Sequence, residues 1–231
     1  FGTTRRNSLI YTLRLSGFDS QMDSRTEMMP PFFLDPLLFL NKEFKIVSKT
    51  EQPKIGFVGH ANGEVVKLIK EFILFLKGNG LRLIGKDNTD YQKFYPSSYY
   101  RNVYLKSIQK NKGIVTDFIF RKKYRAGVVT EADRHRTSKA FYKNIFENQY
   151  VFCLRGTGNF SVRFYETLAL GRIPVLINTD CRLPFKSKIN WTRHCLIIQE
   201  GEEHTIAEKI IEFHNSLTNV QFEEMQRGNR E

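Results

Sequence analysis

From Lys54 onward, short apolar runs alternate with stretches whose apolar residues return every three or four positions. Residues 54–58, 81–84, 114–120, 150–154, 173–177 and 195–198 have strand length and near-continuous hydrophobicity, the pattern of strands covered on both faces. Between them, residues 65–77 repeat Leu68, Ile69, Phe72, Ile73 and Leu76 at helical spacing, and residues 99–110, 130–148 and 203–217 do the same. This alternation predicts an α/β fold with a Rossmann-like, mainly parallel sheet and helices on both faces. Residues 220–231 read as a polar tail.

The first fifty residues carry less pattern. Leu9, Tyr11, Leu13 and Leu15 alternate as in a strand, with Arg5, Arg6 and Arg14 between them. Residues 28–40, with Pro30, Pro31 and Pro36, read as an extended tie or linker. The expected division is a segment 1–52, short or truncated, and a Rossmann-like domain over 53–231, with Gln52 and Pro53 at the boundary. The chain opens on Phe1, so a fragment or a removed leader is the expectation.

The candidate chemistry centres on residues 150–177. An apolar run leads into Arg155, Gly156, Thr157, Gly158 and Asn159, where two glycines let backbone amides turn toward a ligand. Ser161 is placed to cap a helix 162–170, Gly171 to end it left-handed, and a second strand begins at Ile173. A strand, glycine loop, helix and strand make a parallel βαβ unit, and the helix start at Ser161 and Val162 attracts anions. Arg163 and Glu166, three apart, share a helical face: the guanidinium suits a phosphate and the carboxylate suits sugar hydroxyls. The competing reading is a surface ion pair beside an ordinary loop. Upstream, Gly59 and His60 end the first apolar run, at the carboxyl end of a strand where open α/β sheets bind ligands. The basic run 121–125 follows another strand, and Arg125 is its preferred member for neutralising a diphosphate.

The run RGTGNFSVRFYETLALGRIPVLI, with LPF at 183–185, resembles the signature of the exostosin family, glycosyltransferase family 47. The positions that carry the resemblance are Arg155, Gly156, Ser161, Arg163, Phe164, Glu166, Leu168, Gly171, Ile173, Pro174 and Val175. It implies a GT-B fold whose C-terminal domain holds a nucleotide-diphosphate sugar, and inverting transfer to a glycan, glycolipid or related hydroxyl acceptor. The turn at Gly59 and His60 would then face the sugar or diphosphate, and Asp180 the sugar hydroxyls, unless Asp180 only shapes its turn. The acceptor proton needs a base, for which Asp19, Asp23 and Glu27 are nominees beside His60. Arg172 stands where the family commonly has a small residue.

Composition adds a partner requirement. With 36 Lys and Arg against 24 Asp and Glu the chain carries a net charge of +12, which fits an anionic donor, an acidic glycan or peripheral contact with a membrane surface. Nucleic acid is the rival, disfavoured because zinc-finger spacing, an aromatic RNA-binding motif and a helix-turn-helix pattern are all missing. A binding module that keeps the donor-type domain without catalysis is the other alternative. No Asp-x-Asp pair occurs, so neither a metal ion nor another cofactor is expected. Three cysteines without CxxC spacing give no zinc or disulfide framework, and Cys153 reads as packing. The sequence leaves the compartment open: cytoplasmic if the source is bacterial, the Golgi or endoplasmic reticulum lumen if it is eukaryotic.

Overall fold

In the computed structural model, residues 11–86, 93–121, 127, 130–156, 158–202 and 204–231 are described. Two short strands, β1 (Thr12–Arg14) and β2 (Thr26–Met28), pair in parallel. Next comes α1 (Pro36–Leu40), inside the stretch expected to be an extended linker. It forms because Asp35 caps it, accepting from Leu37 N, while Pro36 occupies the first helical position, where a missing N–H costs nothing.

The main sheet is built from β3 (Lys54–His60), β4 (Val115–Arg121), β5 (Tyr150–Cys153), β6 (Ile173–Asn178) and β7 (Leu196–Gln199). All pairings are parallel and the order is β4-β3-β5-β6-β7, so the second strand lies on one side of β3 and the third on the other. This is a Rossmann-like, doubly wound sheet whose direction of growth reverses between β3 and β5. The connecting helices are α2 (Val65–Leu83), α3 (Ser97–Lys110), α4 (Glu131–Glu147), α5 (Val162–Ala169) and α6 (Ile206–Ser216), followed by α7 (Asn219–Arg230).

Side chains alternate across this sheet and fill two cores. Ile55, Phe57, Tyr150, Phe152, Ile173, Val175 and Ile177 pack with Tyr104, Leu105 and Ile108 of α3, Ile206 and Ile210 of α6, and Phe222 of α7. Val151, Cys153 and Leu176 point the other way, onto Ile145 and Phe146 of α4, Phe164 of α5 and Leu37 of α1. A central strand covered on both faces must be apolar at consecutive positions, which is why 150–153 reads as one run. Pro174 is tolerated inside β6 because β7 pairs only from Val175 onward.

Two further elements differ from expectation. Residues 81–84 are not a strand: α2 continues through Leu83, across Gly78 and Gly80, which have open space where a side chain would be. Residues 220–231 are not a tail but α7, started by a Thr218–Gln221 capping box. It buries Phe222, Gln226 and Asn229, and its polar residues serve main-chain groups. Gln226 exchanges hydrogen bonds with Val47 N and O, and Asn229 donates to Arg172 O and His194 O.

Arg172 is fully buried where α4, α5 and α7 meet β6. Its Nε and Nη2 donate to Phe146 O, and Nη1 donates to Gly171 O and Gln226 Oε1. Burial lowers its pKa to about 10. A small residue there would leave these acceptors unserved, so the departure from the family pattern is accommodated by α7.

Candidate active site at the sheet's point of reversal

β3 and β5 pair only at Ile55–Tyr150 and Gly56–Val151, then diverge. Beyond that point the facing carbonyls have no ladder partner, and two arginines supply one. Arg163, in the first turn of α5, donates from Nη2 to Val58 O at 2.7 Å and from Nη1 to Phe152 O at 3.4 Å. Its guanidinium lies 4.3 Å from the Phe57 ring centroid. One step further out, Arg101 of α3 donates from Nη1 to His60 O and from Nη2 to Arg155 O. The pair staples the splayed strand ends. Gly59 leaves room for this bond, since a Cβ there would sit 2.9 Å from Arg163 Nη2 and force the guanidinium to shift.

Above the staples opens a cleft of about 850 Å³. Its floor is Val58, Gly59 and His60, one wall is α4 with Arg134, Thr137 and Phe141, and the other is Gly156 and the start of α5. Among the described residues Arg101, Arg121, Arg134 and Arg163 line it, against one carboxylate, Glu166. Burial raises the Glu166 pKa, opposed by a hydrogen bond from Tyr142 Oη–H at 3.1 Å and by the charge of Arg163. Burial also pushes the Tyr142 hydroxyl up, so it remains a donor. His60 has a fixed tautomer: Nδ1–H donates to Arg121 O, leaving Nε2 to accept from the Lys67 ammonium.

Seven of the expected residues come together here: Gly59, His60, Gly156, Ser161, Val162, Arg163 and Glu166. Their roles differ in detail from the expectation. Ser161 takes the N-cap conformation of α5 without a side-chain bond to the helix amides. Gly171 is left-handed, with φ 63, as the end of that helix requires. Gly156 and Gly158 do not use positive φ. The loop is shaped instead by buried Asn159, whose Nδ2 donates to Gly17 O, Thr179 O and Asp180 O. Arg163 and Glu166 do not form the surface ion pair of the competing reading, because the arginine serves main-chain carbonyls and the carboxylate serves Tyr142.

The remaining candidates lie elsewhere. Arg155 is buried with its guanidinium against the rings of Tyr95 and Phe18, and only its carbonyl reaches the staple. Asp180, with φ 60, accepts from Ser20 N–H and Oγ–H, which places it in its turn and against the N-terminal segment. Asp19 pairs with Arg182 and Lys186, Asp23 accepts from Thr26 Oγ1, and Glu27 accepts from Phe185 N. The carboxylates of Asp19 and Glu27 clasp residues 182–186, Asp23 reaches Arg182 only through its main-chain carbonyl, and none of the three is among the groups lining the cleft. Arg125, Arg5, Arg6 and Thr157 lie outside the described residues.

Arg101 and Thr137 carry no sequence signal for this site, and Arg134 stands out only as part of the basic cluster 134–136. Arg101 lies on a helix recognisable only by its apolar face, and nothing in the spacing points it at two strand ends. Among the described residues, no three His, Cys, Asp or Glu side chains gather where they could hold a metal ion.

The fold, the reversal cleft and the α5 signature can be set against known proteins. No curated protein matches the chain. Residues 105–212, which span β4 to α6 and hold most of the cleft, match the family model of the Exostosin GT47 domain. Over that segment the chain is similar to the exostosin family, glycosyltransferase family 47, as its α5 signature implies.

Proposed function

We propose that the cleft binds the diphosphate of a nucleotide-sugar donor and that the protein transfers the sugar, with inversion, to a hydroxyl of a glycan or glycolipid. The match of residues 105–212 to a glycosyltransferase family model supports the reaction class. The observation that carries the donor reading is the charge of the cleft, where four arginines face one carboxylate among the described residues, at the reversal of a doubly wound sheet. In such a transfer the acceptor oxygen bonds to the anomeric carbon as the bond from that carbon to the diphosphate oxygen breaks. The acceptor proton passes to a base and the electron pair leaves on the diphosphate, where fixed positive charge stabilises it.

On this reading Arg134, exposed on the α4 wall, meets the phosphates, the start of α5 adds its unpaired amides, and Glu166 accepts from a ribose or sugar hydroxyl. No metal is assigned a step. The test is a titration of the full chain with UDP, GDP, ADP and CMP and their nucleosides, repeated on Arg134→Gln. A loss of about fivefold or more for the matching diphosphate, with the nucleoside unchanged, is expected. Equal change for both, or none for either, refutes the phosphate role. Tight diphosphate binding without transfer to any hydroxyl acceptor would instead identify a non-catalytic binding module.

A further inference from the structure

α2 is turned the opposite way from an ordinary surface helix. None of its residues is buried. The positions partly covered by the rest of the protein are Lys67, Leu68, Glu71, Phe75, Gly78, Asn79 and Arg82, a largely polar face. Lys67 reaches His60 and sits 3.9 Å from Glu71, and Arg82 donates to Asn79 Oδ1. The aliphatic stripe points outward: Val65, Ile69, Ile73, Leu76 and Leu83 recur at helical spacing, Leu83 is 89% exposed, and Phe72 beside them is partly exposed against the rings of Phe75 and Phe94. A continuous apolar stripe of this length is uncommon on a surface without a function.

What flanks the stripe indicates what covers it. Lys70 and Lys77 are both exposed along one margin, and Lys86 lies just beyond the helix. The one acid within α2, Glu71, is on the inward face. The outward surface therefore joins aliphatic side chains to ammonium groups with no carboxylate of the helix among them. Among the described residues no helix is long and apolar enough to cross a membrane. A helix with one apolar face bordered by lysines is suited to lie along an interface, its stripe in the acyl boundary and its ammonium groups on anionic headgroups.

We propose that α2 docks the protein on an anionic lipid surface. The contact between Lys67 and His60 ties the inward face of the docked helix to the floor of the cleft, so docking holds the cleft beside the lipid headgroups.

The experiment is flotation of the full chain with vesicles of phosphatidylcholine alone and of phosphatidylcholine mixed with phosphatidylserine. Binding is expected to the mixed vesicles and to weaken at least tenfold in Ile69→Asp/Ile73→Asp. The thermal midpoint of that variant is expected to be unchanged, because both side chains are already exposed. Lys70→Gln/Lys77→Gln should lower affinity by about fivefold per lysine while leaving the aliphatic contribution in place. A chain with net charge +12 can also adhere to anionic vesicles by charge alone. Binding that is indifferent to the isoleucine substitutions, or absent from the mixed vesicles, overturns the proposal. So does a concentration-dependent dimer that the isoleucine substitutions abolish, since a second copy would then be the cover.

Discussion

Arg163 separates two accounts of the site, one in which it is a free phosphate clamp and one in which it also holds the floor together. In Arg163→Met the hydrocarbon of the side chain is kept and the fork is lost. The bond to Val58 O, at 2.7 Å, is charge-assisted and worth roughly 1.5–3 kcal/mol. The contact with Phe152 O, at 3.4 Å, adds little, and the position over the Phe57 ring contributes about 0.5–1 kcal/mol. Relief of a desolvated cation offsets part of this, because burial already lowers the arginine's pKa. The expected loss is roughly 2–3 kcal/mol without any ligand, read as a drop of about 1 M in the urea midpoint. Arg163→Lys keeps a cation near the phosphates but cannot span two carbonyls, so it should recover less than half of the loss while retaining more diphosphate affinity than the methionine variant. A ligand-free change below about 0.5 kcal/mol, the ordinary range for a surface site, refutes the staple.

Two further perturbations test the surroundings. The Glu166 carboxyl has a pKa raised by burial above 4.5, so between the unfolded and folded values the native state binds more protons and stability falls as pH rises. Glu166→Gln is therefore expected to raise the thermal midpoint at neutral pH, and scanning calorimetry should show the gain shrinking as pH falls toward 4.5. A gain that grows on acidification contradicts the assigned direction. Arg172→Met should cost about 2–4 kcal/mol in urea unfolding, because it strands Phe146 O and Gly171 O in the interior. A stable variant would show that the guanidinium's own desolvation outweighs its bonds.

The βαβ unit around α5 was legible because independent signals coincide there: two apolar runs, a capping position at Ser161 and a left-handed glycine at 171. α7 was not, because two of its three buried residues, Gln226 and Asn229, are polar and are buried to serve carbonyls and amides. Hydropathy cannot register a side chain that goes inside for its hydrogen bonds. The quartet 81–84 has strand composition, yet α2 runs through Gly78 and Gly80 and takes up 81–83 as its last turn. In the site, the residue types near Ser161 were visible, but the staple was not. It exists because β3 and β5 part after Val151, and no local pattern encodes how two strands separated by about ninety positions diverge.

The place of β3 has a consequence for anyone who would cut this protein down. The family match begins at residue 105, after β3, yet β3 lies between β4 and β5 in the sheet. A polypeptide excised to 105–212 would carry β4 with nothing to pair on and β5 with a bare edge, and it would lack the Phe222 of α7 that fills the core beneath. Such a piece would retain the recognisable signature while presenting two unsatisfied strand edges to its neighbours, the condition under which chains associate with one another. The boundaries by which the family is recognised are therefore not boundaries at which this protein can be divided.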